Sequence, residues 1–280
     1  MPRTALTDRL MQDLPLTAAS FIVTVYGDIV VPRGEVLWMG SLIEICDNVG
    51  ISENLVRTAV SRLVSAGSLL GERNGRRSFY RLAPAARAEF AEAAQRLFAR
   101  QTEPDHWFIL HAPDLGEETA KRFRMARMGG DVWLCPDRGD RPTGASLVLR
   151  TQAEDAVALQ KIAAFWDLTS VQGRYEAMLA RFSPLHEALL VGETLAPADA
   201  LTARLLLVQV YRSALLRDPG LPAAALPDRW QGAAARRLFD DLYARLSPLA
   251  DAEVARKLEG SDGPLPAETP ETINRINNLA

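Results

Sequence analysis

The stretch from Ile51 to Leu82 constrains the fold of this chain most strongly, because a short amphipathic helix pattern is followed directly by a basic hairpin pattern. Ser52 suits an N-cap, since its hydroxyl can accept a hydrogen bond from the first turn, and Gly67 is placed to end the helix in the left-handed conformation. On a helical wheel the apolar residues share one side and the polar residues share the other. The predicted apolar side consists of Leu55, Val56, Ala59, Val60, Leu63 and Ala66.

The polar side of this predicted helix carries residue types that contact DNA. Arginine, serine and threonine bind phosphates, and arginine and asparagine also bind base edges. An ordinary amphipathic helix with a solvated polar face has the same pattern, so the helix alone leaves both interpretations open. The candidate DNA-binding residues on it are Ser52, Asn54, Arg57, Thr58, Ser61 and Arg62.

A hairpin is predicted after the helix, because Asn74-Gly75 favours a type I′ turn, which needs positive φ at both central residues. A two-residue loop there pairs Glu72 with Arg77 and Leu69 with Tyr80. Arginines then crowd the tip, where a polyanion would relieve their mutual repulsion. A solubilising loop is the alternative, although such loops usually mix lysine with acidic residues. The candidate DNA-binding residues of the hairpin are Arg73, Asn74, Arg76, Arg77 and Ser78.

The segments before residue 51 complete a known arrangement. Ser41–Glu44 matches a capping box that opens a short helix, and Gly50 breaks that helix. Residues 18–26 are predicted to form an earlier helix that ends at Gly27-Asp28, and residues 36–38 a small strand beside the hairpin. This order predicts a winged helix-turn-helix.

The charge distribution favours a DNA footprint that is confined to this region. Residues 52–82 hold six arginines and two glutamates, a net charge of +4, whereas residues 1–51 sum to −3, residues 83–150 to zero and residues 151–280 to −4. A basic patch on an otherwise acidic chain is typical of local nucleic-acid binding. Because no apolar run reaches the length of a bilayer span, we expect a cytoplasmic protein without a membrane partner.

Catalytic and metal chemistry find little support in the sequence. Cys46 and Cys135 lie in separate apolar segments, so they are expected to be reduced core thiols. The histidines have no acidic or cysteine partners at metal-ligand spacing. We therefore expect no catalytic residues, no metal and no cofactor.

The remainder of the chain is predicted to form two further domains. Strands at 106–111, 132–135 and 145–149, helices at 117–128 and 154–166, and a closing strand near 166–170 suggest a ferredoxin-like domain. Helices at 84–100, 200–216 and 233–246 are also predicted, while residues 1–15 and 260–270 are expected to be loose. The predicted fold class is mixed α/β, mainly helical (α+β), with domains at 1–100, 101–175 and 176–280.

Segments spread along nearly the whole chain resemble the phenylacetic acid catabolon repressor (PaaX) family, and they occur in the same order. The resemblance is more specific than a helix-turn-helix pattern alone. The matching segments are Gly27-Asp28, Gly40–Ile43, Gly50-Ile51, Val56–Val60, Arg62-Leu63, Gly75–Leu82, Tyr211-Arg212, Leu216–Pro219, Leu221-Pro222 and Leu226–Gly232.

The resemblance implies an N-terminal winged helix-turn-helix, a central ferredoxin-like domain similar to the Cas2 fold, and a C-terminal helical domain. It further implies a homodimeric repressor of aromatic-acid catabolic genes that binds double-stranded operator DNA and is released by phenylacetyl-coenzyme A. One alternative is the same repressor with another acyl-coenzyme A effector. Another is a metal-dependent nuclease by analogy with Cas2, for which Asp114 is a candidate ligand.

An effector of this class places two demands on its site. The phosphates of coenzyme A need a cationic cluster, and an aromatic acyl group needs an apolar pocket. A solvated helix face and core tryptophans would give the same sequence pattern. The candidate effector-binding residues are Trp107, Lys121, Arg122, Arg124, Arg127 and Trp133.

Overall fold

The computed structural model describes residues 5–100, 102–139 and 141–279, which form two compact units. Unit 1 comprises described residues up to 99 together with 178–212 and those from 234 onward, and unit 2 comprises those of 100–177 and 213–233. The combination of many helices with small antiparallel sheets confirms the α+β class. The division into consecutive domains at 1–100, 101–175 and 176–280 stays a prediction, and its first four residues lie outside the described part of the chain.

Unit 1 combines the N-terminal elements with C-terminal helices. The first helix α1 begins at Ala5, so residues 5–11 are not the loose start that was predicted. The elements of unit 1 are α1 (Ala5–Met11), α2 (Ala18–Val25), β1 (Val36–Trp38), α3 (Met39–Asp47), α4 (Glu53–Ser65), β2 (Leu69–Asn74), β3 (Arg77–Leu82) and α5 (Arg87–Phe98), followed by the second part of α8 (Leu168–Leu190), most of α9 (Pro197–Leu215) and α10 (Gly232–Lys257), and by β8 (Glu259–Gly260), β9 (Gly263–Pro264) and α11 (Pro270–Leu279).

The helix that starts at Ala18 continues beyond its predicted end. A π-helical turn spans Tyr26–Val30 and a 3₁₀ turn follows it. Asp28 is buried in the π-helical turn, where it accepts hydrogen bonds from Arg204 Nε (3.1 Å) and Tyr243 Oη (2.8 Å). Burial alone would lower the pKa of Arg204, but Asp28 together with Tyr243 and Asp251 raises it on balance, so the guanidinium stays charged. These partners from α9 and α10 hold the turn in place.

The helix α4 follows its sequence pattern closely, whereas α3 begins earlier than predicted. Gly67 has a φ of +71° and ends α4 as expected. The capping box at Ser41 is wrong, because α3 already begins at Met39 and Ser41 is buried inside it. Two details of α4 also differ: Ser52 precedes it without a side-chain capping bond to any described residue, and Leu55 is 57% exposed.

The hairpin β2–β3 has a different register from the predicted one. Asn74 pairs with Arg77, so the loop is Gly75-Arg76, and Gly75 has the positive φ (+59°) that a type II′ turn needs at its first central residue. In this register Leu69 pairs with Leu82 and both are buried, whereas the predicted register pairs Leu69 with Tyr80. Burial of the apolar pair therefore outweighs the local preference of Asn-Gly.

The C-terminal segment after α10 is ordered by packing, so the prediction that residues 260–270 are loose is wrong. The small hairpin β8–β9 is flanked by the buried residues Leu258 and Leu265, and Leu265 N donates to Leu258 O (2.8 Å). Arg33 Nε donates to Pro266 O (2.9 Å), which ties the segment to the turn after α2. The high proline and acid content of the segment concealed its two buried leucines.

Unit 2 is built on an antiparallel sheet whose strands follow the order β5 (Ala126–Gly129), β6 (Val132–Pro136), β4 (Trp107–His111) and β7 (Leu147–Thr151). The predicted helix 117–128 ends at Arg122, and after Arg124 (φ +52°) the chain forms the strand β5, which sequence reasoning missed. The predicted closing strand near 166–170 is wrong, because α8 begins at Leu168. The elements of unit 2 are β4 (Trp107–His111), α6 (Glu117–Arg122), β5 (Ala126–Gly129), β6 (Val132–Pro136), β7 (Leu147–Thr151), α7 (Ala156–Ala163) and the first part of α8 (Leu168–Leu190).

Two further expectations concern the cysteines and membranes. Cys46 and Cys135 are free and buried, as predicted, and burial raises the pKa of the Cys46 thiol to about 12. Within residues 5–100, 102–139 and 141–279, no helix combines the length and apolar character needed to cross a membrane.

Candidate nucleic-acid interface

The polar face of α4 is presented by the helices that it packs on. Val56, Ala59 and Val60 are buried, so the opposite side of the helix faces solvent. Gly50, with a φ of +79°, allows the tight turn from α3, and Ile51 N closes that turn on Cys46 O (3.0 Å). Ser52 and the five candidate residues within α4 are therefore exposed together on one surface.

The side chains on this face differ in the hydrogen bonds and ion pairs that they form within the protein. Arg57 Nε donates to Glu53 Oε1 (2.8 Å), an exposed ion pair one helical turn apart. Thr58 Oγ1 donates to Asn54 O (2.8 Å), so its hydroxyl keeps only acceptor capacity toward a ligand. Arg62 has no hydrogen-bond or ion-pair partner among the described residues. Arg57 must therefore leave Glu53 to contact DNA, whereas Arg62 need not leave a carboxylate.

The tip of the hairpin β2–β3 presents its arginines in three different situations. Arg76 is a central loop residue, exposed and without an ion-pair partner in the described part of the chain. Arg73 Nε donates to the backbone oxygen of Gly75 (3.2 Å). Arg77 forms an ion pair with Glu259, and its guanidinium carbon lies 4.6 Å from the centroid of the Trp38 ring. Asn74 is exposed and Ser78 half-buried.

The hairpin is fixed to the helices by its central strand. Strand β3 pairs with β1 on one side and β2 on the other. Tyr26 Oη donates to Tyr80 O (2.9 Å), which connects the sheet to the π-helical turn. The sequence pattern did reveal the exposed arginines, but Glu259 was missed because it lies 182 residues from its partner Arg77. The Glu53–Arg57 pair had a local signal, the i,i+4 spacing.

The candidate effector residues in unit 2 are not brought together into one pocket. Trp107 and Trp133 are both buried, but they belong to separate apolar clusters on opposite faces of the sheet. Trp133 packs with Leu110 and Cys135, and the guanidinium carbon of Arg127 lies 5.0 Å from its ring centroid. Strand alternation explains the separation, because Trp133 pairs with Leu110, an odd number of residues from Trp107.

The basic candidates around α6 are also dispersed. Lys121, Arg122 and Arg127 are exposed. Arg124 is half-buried, and its Nη1 donates to the backbone oxygen of Asp218 (3.1 Å). The prediction of one basic helix that carries all four side chains is wrong, because α6 ends before Arg124.

An open cleft of about 510 Å³ lies in unit 2 beside the junction of α7 and α8. Trp166 and Leu226 contribute apolar lining, and Asp167 and Asp228 add carboxylates. Trp107 lies behind this wall, since its ring centroid is 6.1 Å from that of Trp166. The carboxylates therefore make the cleft less suited to a phosphate than to an uncharged group.

Metal binding has little structural basis in the described residues. Asp114, the candidate ligand of the nuclease alternative, is exposed after β4. Among residues 5–100, 102–139 and 141–279, no group of three or more histidine, cysteine, aspartate or glutamate side chains could hold a metal ion.

Comparison with known proteins identifies the family. The model of the PaaX-like protein family matches residues 17–86, and that of the PaaX-like protein C-terminal domain matches residues 166–256. The transcriptional repressor PaaX of Escherichia coli strain K12 is 31% identical over 95% of this chain and 92% of its own length. The chain belongs to the PaaX family.

The family matches cover the elements that form the candidate interface. Residues 17–86 contain α2, α3, α4 and the sheet β1-β3-β2, and residues 166–256 contain α8, α9 and nearly all of α10. A solved structure, the uncharacterized protein Rv0674 from Mycobacterium tuberculosis, resembles this PaaX-family chain with a TM-score of 0.52 and 22% identity. That likeness covers 85% of this chain and 99% of the other, and it supports the fold alone.

Proposed function

We propose that this PaaX-family protein is a transcriptional repressor that binds double-stranded operator DNA through a winged helix-turn-helix. The observation that carries the proposal is the joint exposure of the polar face of α4 and the arginines of the hairpin β2–β3 on a chain with a net charge of −3. The Escherichia coli relative, which is named a transcriptional repressor, supports the same role.

In this proposal the two elements divide the work of recognition. The helix α4 enters the major groove, where Asn54 and Arg57 can form bidentate contacts to adenine and guanine. The hairpin β2–β3 is the wing, and its arginines, Arg76 above all, contact phosphates and fix the register of the protein on the duplex. Arg57 exchanges its contact with Glu53 for one with DNA, which adds a cost that Arg62 does not bear.

We further propose that the repressor is a homodimer that controls aromatic-acid catabolic genes and is released by phenylacetyl-coenzyme A. The family resemblance supports this class of effector, and another acyl-coenzyme A is the alternative. The cleft beside Trp166 is a candidate site for the acyl end of the thioester, because its volume of about 510 Å³ can hold an aromatic group and Trp166 and Leu226 offer it apolar contact. The carboxylates Asp167 and Asp228 make it unsuitable for the phosphates.

The experiment that tests this function begins with selection of duplexes from a random library by the full-length protein. Fluorescence anisotropy with a selected duplex is then followed during titrations with phenylacetyl-coenzyme A, phenylacetate and free coenzyme A. Release by the thioester alone supports the full proposal. Release by a different acyl thioester favours the alternative effector, whereas a protein that enriches no duplex refutes DNA recognition altogether.

A further inference from the structure

The C-terminal hairpin β8–β9 places a carboxylate against the DNA-binding wing. Glu259, in β8, forms an ion pair with Arg77, the first residue of β3. Both side chains are partly exposed, at 37% and 52% respectively, so the pair lies at the surface and is accessible to a competing anion.

The pair is held on one defined face of the sheet. Trp38 pairs with Phe79, and Phe79 is two residues from Arg77, so all three side chains share a face. The Arg77 guanidinium carbon lies 4.6 Å from the centroid of the Trp38 ring, within cation–π range. Arg77 is therefore held between an aromatic ring and a carboxylate.

Glu259 is positioned by backbone contacts as well as by its charge. Its own N–H donates to Ser41 Oγ (3.1 Å), which is buried in α3. A Cβ added to Gly260 would lie 3.2 Å from the backbone oxygen of Val36, so the hairpin is seated directly against β1. Two residues before Glu259, Lys257 Nζ donates to Glu44 Oε1 (3.1 Å) in α3. These contacts fix the carboxylate near the wing without any contribution from Arg77.

We propose that Glu259 is an internal counter-ion for Arg77 that competes with a DNA phosphate and thereby limits the affinity of the wing for DNA. This inference rests on the proposed DNA-binding function. A carboxylate and a phosphate oxygen offer the guanidinium the same kind of charge-assisted hydrogen bond, so a phosphate competes with Glu259 for the Nη1 group of Arg77. Because exposed ion pairs are weak, DNA can displace Glu259 from Arg77. The phosphate contact of Arg77 therefore depends on that displacement, whereas the phosphate contact of Arg76 does not.

The test is the DNA affinity and salt dependence of full-length Glu259→Gln, measured by anisotropy with a duplex selected by the wild-type protein. Removal of the carboxylate frees Arg77 to make one more phosphate contact. Because DNA already displaces Glu259 in part of the wild-type complex, the expected result is a salt slope steeper by up to about 0.9 and an affinity higher by up to about fivefold at 0.15 M salt. Glu259→Ala should show a gain of the same kind, and thermal unfolding verifies that both variants are folded.

A matched control separates the specific pair from general charge. Glu268→Gln removes the same charge from an exposed position in the same C-terminal segment and is expected to leave the slope unchanged. In a protein that already carries Arg77→Gln, adding Glu259→Gln should give no gain in DNA affinity. Arg77→Gln should also cost the wild-type protein less DNA affinity than it costs the Glu259→Gln variant. Equal gains from Glu259→Gln and Glu268→Gln, no gain from either Glu259 variant, or a gain that persists without Arg77 would overturn the proposal. A wild-type protein that binds no duplex would instead refute the proposed function, and this inference with it.

Discussion

Replacement of Arg76 by alanine is the most direct test of the wing as a phosphate-binding element. Arg76 is the second central residue of the loop between β2 and β3, is exposed, and has no ion-pair partner among the described residues. No internal carboxylate has to be displaced before its guanidinium meets a phosphate. The variant should therefore lose the full value of one phosphate contact.

The magnitude follows from counterion release. One phosphate contact on B-DNA contributes about 0.9 to the slope of log affinity against log salt. Loss of that contact is expected to weaken binding about fivefold at 0.15 M salt and about fifteenfold at 0.05 M salt, which corresponds to about 1 kcal/mol and about 1.6 kcal/mol. The loss should be nearly uniform across DNA sequences, because a phosphate carries no base identity.

The assay is anisotropy at several salt concentrations with a selected duplex and a scrambled duplex. Arg245→Ala is the matched control, because it removes an exposed arginine that is paired with Asp241 on α10. That variant should keep the wild-type slope. If Arg76→Ala also keeps the wild-type slope and affinity, the wing does not contact phosphate and the reasoning from the hairpin tip fails.

Three further predictions concern base recognition, release and stability. Asn54→Ala and Arg57→Ala are each expected to relax the preference for a selected duplex over a scrambled one, since a bidentate base contact contributes about 1–3 kcal/mol of discrimination. Competition between the two duplexes measures this preference. Ala164 is exposed and lines the cleft, so Ala164→Trp is expected to fill the cleft. This variant should keep its DNA affinity but no longer be released by phenylacetyl-coenzyme A, and the anisotropy titration measures the affinity and the release. Arg204→Ala is expected to lower the free energy of unfolding by about 3–5 kcal/mol, because the substitution leaves the buried Asp28 carboxylate without its ion-pair partner. Urea unfolding measures this free energy.

Each of these predictions has an outcome that contradicts it. Full discrimination in both α4 variants would mean that another element reads the bases, and Ser65→Ala at the far end of α4 provides their control. Unaltered release from Ala164→Trp would place the effector outside the cleft. For Arg204, the control is again the exposed Arg245→Ala, which is expected to cost much less because an exposed ion pair is weak. Similar losses in the two arginine variants would show that burial of the Arg204–Asp28 pair has no special consequence.

Features that depend on neighbours in the sequence were predicted well. The solvent-facing side of α4 follows from the period of its polar residues, and its end follows from the freedom of Gly67 to adopt positive φ. The strand at Val36–Trp38 and its place beside the hairpin were also predicted. The exposed arginines of the candidate interface could be named for the same reason, because charge and local conformation together keep them at the surface.

Features that depend on a choice among several local options were predicted less well. Asn74-Gly75 favours a turn by itself, yet the register of the hairpin is set by burial of Leu69 against Leu82. The stretch after Arg122 has a helical pattern, but it pairs as β5 with β6. In both places a weak local preference yields to the free energy of packing and of backbone pairing in the sheet.

The sequence by itself determined which exposed residues have side chains suited to contact with DNA, whereas only the tertiary structure decided which of them already have a partner within the protein. Arg76 and Arg77 are adjacent and chemically identical, but Arg77 meets Glu259 and Trp38 while Arg76 faces solvent. In the same way, Trp107 and Trp133 are equally apolar in the sequence, and strand pairing places them on opposite faces of a sheet. The chemistry of a side chain is set by its own residue type, but its partner can lie far away in the sequence. Only the packing of the folded protein determines whether the two side chains are close in space.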